Sequence, residues 1–348
     1  MITELTETIR SGAELDTAEI SQLAESLLDE SVDAASKADL LTALSVRGET
    51  AAEIAGLADE FLARAVNPGL GPEQADRPRL DVCGTGGDKL NLFNVSTTSV
   101  FVLAAAGIEV VKHGNRGITS KSGGADVLEA LGIRIDLPPE QIGECLSAVG
   151  AAFLFAPLYH PAFKAVVPVR KMLAERGQRT VFNLLGPLLN PVRPSRQLIG
   201  VFDPAVGPVF AEILKRLGRE EAWVVHGLTD DGRGMDELSS IGPTQIWKKS
   251  SDGPIEMSLD PSGLGLDGGT VGDLAGDDAE ANAAIVVGIL DGSIGGPKRD
   301  MVSLNSAAGL VVAGKAVSLE EGLTQAGDLI DSGKAIEVLE RWQAFSSK

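Results

Sequence analysis

The sequence predicts an α/β fold: a small N-terminal helical domain, then a larger α/β domain with a central, mostly parallel sheet flanked by helices. Three observations carry this. Residues 2–66 place apolar side chains at helical spacing, a Pro/Gly-rich stretch follows, and beyond it short apolar runs alternate with helical patterns. In the first block Leu15-Asp16-Thr17 starts a helix over 18–28. Two more helices follow over 34–46 and 51–65, with a lead-in turn or helix before Ser11. Asn67-Pro68-Gly69-Leu70-Gly71-Pro72 through Arg77-Pro78 reads as a linker, which puts a boundary near residue 75 and divides the chain into 1–75 and 76–348. Beyond it, strands are expected at 79–82, 109–112, 152–155, 197–201 and 222–225. Helices are expected at 94–106, 125–131, 139–149 and 207–217.

Composition narrows the functional classes. Of 348 residues, 49 are acidic and 30 basic, a net charge of −19 that opposes a nucleic-acid partner. No basic segment precedes an apolar run at the N-terminus and no apolar stretch is long enough to span a bilayer, so the expected compartment is the cytosol. Two cysteines, Cys83 and Cys145, suit neither a disulfide framework nor a zinc site. Cys83 ends an apolar strand and reads as a small buried hydrophobe rather than a nucleophile.

Two loops carry the chemistry. Cys83-Gly84-Thr85-Gly86-Gly87-Asp88 follows a strand, and glycine lets backbone amides converge there on oxygen anions. Asn94-Val95-Ser96-Thr97-Thr98 then opens a helix whose free N–H groups face the same space. The next strand delivers Lys112-His113-Gly114-Asn115-Arg116-Gly117, then Ser120-Lys121-Ser122-Gly123-Gly124. Neither a GxGxxG fingerprint nor a GxxxxGK[ST] loop is present, so the usual nucleotide-binding classes fit poorly. In so acidic a chain, Lys112, Arg116 and Lys121 beside glycine loops suit an anionic ligand, with salt-bridged surface residues as the alternative. His113 reads as a residue that shapes the loop. Further on, Met235-Asp236-Glu237-Leu238-Ser239 sets two adjacent carboxylates on a loop, which suits a hard cation or, equally, a solvated turn.

These segments, GTGGD, NVSTT, KHGNR, SKSGGADVLEALG, NLLGPLLNP and MDELS, resemble the anthranilate phosphoribosyltransferase family, and the resemblance spans essentially the whole chain to LNSAAGLVVAGKA. It implies transfer of a 5-phosphoribosyl group from phosphoribosyl pyrophosphate to the amine of anthranilate, a step of tryptophan synthesis, with magnesium (two ions) and in a homodimer formed through the N-terminal helices. It also implies that helices near 159–176 complete the small domain. Carried over by position, Gly84, Gly87, Asp88, Asn94, Val95, Ser96, Thr97, Lys112, His113, Gly114, Asn115, Arg116, Gly117 and Ser120 fall on the donor site, and Gly84, Asn115 and Arg170 on the anthranilate site. Ser96, Asp236 and Glu237 fall on the metal site. Lys112, Asp236 and Glu237 are the expected catalytic groups. The chain departs from the pattern where Leu92 replaces a threonine, where Gly124 replaces a serine, and in a longer link over 173–178. The departures keep alternatives open: a paralogue using another aromatic amine, a pyrimidine nucleoside phosphorylase, or a non-enzymatic nucleic-acid binder.

Overall fold

The computed structural model describes residues 2–117, 121–266 and 268–347. The chain opens with four helices, α1 (Ile2–Arg10), α2 (Thr17–Leu28), α3 (Ala34–Arg47) and α4 (Ala51–Ala63). Capping boxes explain two of their starts: Asp16 accepts from the Glu19 N–H while Glu19 accepts from the Asp16 N–H, and Thr50 and Glu53 do the same. The linker holds one helical turn, α5 (Pro72–Ala75).

The sheet is then laid down in alternation: β1 (Arg79–Gly84), α6 (Val95–Ala105), β2 (Glu109–Gly114), α7 (Gly124–Ala130), α8 (Ile142–Val149) and β3 (Ala151–Phe155). Next come α9 (Ala156–Tyr159), a 3₁₀ segment (Pro161–Ala165), α10 (Val167–Glu175), α11 (Phe182–Leu185), β4 (Arg196–Gly200), α12 (Gly207–Arg216) and β5 (Glu221–Leu228). Strands β6 (Gly234–Met235), β7 (Thr244–Lys248) and β8 (Ile255–Leu259) follow, then α13 (Ala279–Leu290), α14 (Gly296–Val312), α15 (Leu319–Asp331) and α16 (Lys334–Ser346). Strand order is β3-β2-β1-β4-β5-β7-β8, with β6 on β5. The first five strands are parallel, as the alternation predicts; β6, β7 and β8 add an antiparallel edge that the sequence pattern does not reveal.

Each face of the sheet is covered. On one side α6 is apolar nearly all round, because it is buried between the strands and helices α14 and α16. On the other side Ile199, Val201 and Val224 join a cluster containing α1–α4, α12 and Val166, Val169 and Leu173. Helix α10 thus packs back on α3, and Phe163 of the 3₁₀ segment meets Phe61 of α4 edge-on at 5.0 Å.

Phe101 of α6 is fully buried, 5.7 Å from the Trp342 ring of α16. Phe101→Ala is therefore expected to lower unfolding stability by about 3–5 kcal/mol through lost burial and a cavity, read as a lower urea midpoint.

Candidate active site

The carboxyl ends of β1 and β4 meet the loop after β6, and two glycines permit it. A Cβ on Gly84 would lie 2.1 Å from Asp236 Oδ2, and one on Gly200 only 1.6 Å from the Asp236 carbonyl oxygen. Asn305 of α14 fixes the far side, accepting from the Leu238 N–H and donating to the Leu238 carbonyl, both at 2.9 Å. The acid pair is thereby pressed against the glycine turn. The Gly86 N–H donates to Asp236 Oδ2 at 2.7 Å, and the Ser96 N–H, in the first turn of α6, donates to Glu237 Oε1 at 3.2 Å. Lys112 comes up from β2 beside them, its Nζ donating to the Val82 carbonyl at 2.6 Å and to Ser96 Oγ at 3.1 Å.

These contacts sharpen the sequence expectation. The amides reserved for an oxyanion do hold anionic oxygen, but here it is the chain's own carboxylate, which has the same affinity for a helix N-terminus. Asn94 stands where the sequence expects a cap for α6; its side chain makes no cap bond and instead donates to the Ser122 carbonyl at 3.4 Å and accepts from Asn282 at 2.9 Å. It ties the two loops together.

Electrostatics mark the acid pair as frustrated. Burial and then neighbouring Asp88 raise the Asp236 carboxyl well above the usual range, and burial and Asp236 raise Glu237 in the same direction despite Lys112. Such a cluster gains from a cation. Among the described residues no three His, Cys, Asp or Glu side chains form a ready cage, so a metal here needs oxygen from a ligand as well. Asp88 accepts from the Leu90 N–H at 3.2 Å. Gly87 has φ of 92° and a Cβ there would approach the Phe202 ring at 3.3 Å, so both backbone and space favour glycine.

The second loop is held by a residue that sequence reasoning did not single out. Asp126, in the first turn of α7, accepts from the Gly117 and Gly123 N–H groups, both at 2.8 Å, and pairs with Arg116 at 3.2 Å. Its place three residues past Gly123, at a helix start, is the signal that would have found it. Arg116 also pairs with Glu129, and Lys121 pairs with Asp277 at 2.6 Å, where both side chains are exposed. Of the three cations noted beside the glycine loops, only Lys112 is buried and forms no ion pair among the described residues. Val95 and Thr97 are buried in the first turn of α6, and Gly114 ends β2 against the Phe153 ring. Ser120 lies outside the described residues.

A separate cluster is aromatic. Arg170 of α10 is half-buried, its guanidinium 5.0 Å from the centre of the Phe182 ring, and burial without a carboxylate partner lowers its pKa. His113 and His160 meet edge-on at 5.3 Å, and His160 stacks on Phe163 at 5.2 Å. Burial drives His113 down to about 3, so it is neutral near pH 7, which agrees with a structural rather than an acid–base part. Asn115 accepts from the Arg116 N–H at 2.8 Å and, through its carbonyl, from the Ala125 N–H at 3.4 Å, at the junction of β2 and α7. The Cys83 thiol is pushed far up by burial, in keeping with an unreactive side chain.

The raised carboxyls have a measurable consequence. Their folded pKa values exceed the unfolded ones, so the folded state holds extra protons above the ordinary carboxylate range, and the stability this confers is lost as pH rises towards and past neutrality. Chelator-treated protein should therefore melt at progressively lower temperature between about pH 5 and pH 8. Asp236→Asn with Glu237→Gln should flatten that slope; an equally steep slope in the double variant would assign it to general surface repulsion.

Comparison with known proteins agrees with this geometry. Residues 3–65 match the helical bundle domain of a glycosyl transferase family and residues 76–336 match its a/b domain. The anthranilate phosphoribosyltransferase of Desulforamulus reducens is 41% identical over 346 residues, covering 99% of this chain and 97% of its own. The crystal structure of the Thermus thermophilus enzyme of that name superposes with a TM-score of 0.89 at 40% identity, covering 99% of both chains. The Saccharomyces cerevisiae enzyme, solved in complex with PRPP and Mg, superposes at 0.86 with 28% identity, covering 99% of this chain and 98% of that one. The chain belongs to the anthranilate phosphoribosyltransferase family.

Proposed function

We propose that the residues gathered around Lys112, Ser96 and the Asp236-Glu237 pair carry out the reaction of this family, transfer of the 5-phosphoribosyl group from phosphoribosyl pyrophosphate to the amine of anthranilate with release of pyrophosphate. The observation that carries the reading is the convergence of one buried ammonium, a helix N-terminus and two adjacent carboxylates on a glycine turn.

The donor's phosphates suit the first two loops. Gly84, Gly87, Asp88, Asn94, Val95, Ser96 and Thr97 supply the turn and the helix start, and Lys112, His113, Gly114, Asn115, Arg116, Gly117 and Ser120 the facing strand and loop. Lys112 has three N–H bonds and spends two on Val82 and Ser96, so the third is free to meet a phosphate oxygen at a fixed position. That ammonium stabilises charge as the anomeric C–O bond breaks and pyrophosphate departs. Asp236, Glu237 and the Ser96 hydroxyl are suited to hold magnesium, two ions in our reading, because a divalent cation relieves the repulsion that burial imposes on the acid pair. Magnesium supplies charge neutralisation to the leaving group.

Arg170 offers a planar fork to a carboxylate, and with Asn115 and the Gly84 backbone it suits anthranilate. An aromatic amine is neutral at physiological pH, so it attacks the ribose carbon without prior loss of a proton, and the enzyme's task reduces to alignment and leaving-group stabilisation. Alignment of two bound reactants is worth about 7–11 kcal/mol. We read the helical unit, 1–75 with helices near 159–176, and the unit 76–348 as the two walls that bring acceptor and donor together in the cytosol. We place a homodimer interface on the helical unit, where Val46 of α3 and Val167 of α10 are exposed, and sedimentation would test the assembly.

Lys112→Ala and Asp236→Asn should each lower kcat about 100-fold or more, followed as loss of anthranilate fluorescence with donor and magnesium present, while the circular dichroism spectrum stays that of the parent. Parental turnover in either variant would remove that residue from the proposed site.

A further inference from the structure

Lys37 of α3 is only 2% exposed and ranks among the largest fully buried side chains, yet it has no carboxylate within ion-pair distance among the described residues. Burial lowers its pKa, with Asp29 and Glu30 opposing. A buried ammonium is costly and a leucine or methionine of similar length would pack as well, so the charge needs a reason. Its one acceptor among the described residues is the carbonyl of Ala165, 3.2 Å away and 128 positions along the chain.

That carbonyl is the last of the 3₁₀ segment and stands just ahead of α10. Three residues on is Pro168, which has no N–H to close a further 3₁₀ turn on that carbonyl, and Lys37 donates to it. The pegged residue lies in sequence between two members of the aromatic cluster, Phe163 and Arg170. Phe163, two residues before, stacks under His160, and Arg170, five residues after, starts its helical bond at the Val166 carbonyl. Among the described residues Arg170 has no anionic side chain to hold it; Phe182 on one side and the seating of α10 on α3 bear on its position.

We propose that Lys37 is a positioning residue for the acceptor subsite: its ammonium fixes the Ala165 carbonyl, and through it the start of α10, so that the Arg170 guanidinium meets the acceptor's carboxylate in register. Lys37 itself touches no substrate. The inference rests on the reading of Arg170 as the carboxylate partner, and the experiment separates the two.

Steady-state kinetics on the full chain would compare the parent with Lys37→Met, Arg170→Ala and the double variant. Lys37→Met should raise KM for anthranilate about fivefold or more, through loss of the hydrogen bond from the ammonium, with kcat and KM for phosphoribosyl pyrophosphate within about twofold of the parent. The double variant should be no worse than Arg170→Ala alone, and Lys37→Arg, which keeps a donor, should fall back towards the parent. If Arg170→Ala raises anthranilate KM while folded Lys37→Met leaves it unchanged, the positioning role is overturned and the acceptor site stands. If Arg170→Ala leaves it unchanged, the acceptor reading fails. Equal rises for both substrates, or full additivity in the double variant, would make Lys37 a packing residue and overturn the proposal. Should Lys37→Met not fold, Lys37→Leu, which likewise removes the donor and keeps an apolar side chain of similar bulk, carries the same comparison with the same outcomes.

Discussion

Everything at the site depends on a backbone approach that only glycine tolerates. The loop after β6 crosses the ends of β1 and β4 so closely that its Asp236 carbonyl occupies the place a side chain at Gly200 would need. Two consequences follow from that contact. The acid pair is forced against the turn and the start of α6, where backbone N–H groups partly satisfy it, and it is forced out of water, where its mutual repulsion has no other relief. A site built this way is poised for a cation and a polyanion together, because each removes a cost the other would face alone.

The same frame explains the division of labour between charges. The net charge of −19 sets a repulsive background for a phosphorylated donor, and most local cations are already committed to carboxylates. Lys112 differs because it rises from a buried strand position and is held by oxygen atoms that carry no full charge. Burial leaves its field little screened by solvent, and that field acts on the buried Asp81 and Glu237 carboxyls, which it holds down against burial, so this one ammonium does inside the site what the two surface cations cannot.

The sequence made much of this legible, and the failures have identifiable causes. The parallel strands and the glycine turns were readable because local periodicity and local turn chemistry specify them. Strands β7 and β8 were not: each is five residues long, and although Ile255, Met257 and Leu259 alternate with Glu256 and Ser258, so short a run between polar turns is a weak signal, and β8 is exposed on both faces over Ile255, Glu256, Met257 and Ser258. Helices α13, α15 and α16 follow ordinary apolar spacing and went unassigned beyond the stretch within α14. Arg116 and Lys121 looked like ligand groups because their partners, Glu129 and Asp277, lie 13 and 156 residues away. Asn305 could have been suspected, as an amide in the middle of an apolar helix is costly without a partner, but nothing local says that the partner is Leu238. Lys37 reads in sequence as an ordinary helical surface residue, since burial of its ammonium is created by a segment 128 positions away.

The two departures from the family pattern acquire a physical reading from their surroundings. Leu92 lies in a segment that bridges to Ala275, flanked by bonds from the Phe93 N–H to the Leu274 carbonyl and from the Gly276 N–H to the Asn91 carbonyl, and its side chain packs on the main core. The backbone bonds do not depend on the side chain; what leucine adds over threonine is apolar packing on the main core. Gly124 is different. A Cβ at that point would stand 3.1 Å from Thr97 Oγ1 and 3.5 Å from Lys112 Cε, which places any serine hydroxyl within the same small volume as the ammonium stem. Its absence leaves more space between Thr97 Oγ1 and the Lys112 stem. Both changes subtract neutral donors, each worth about 1 kcal/mol, and neither touches the ammonium or the acid pair on which the larger electrostatic effects rest.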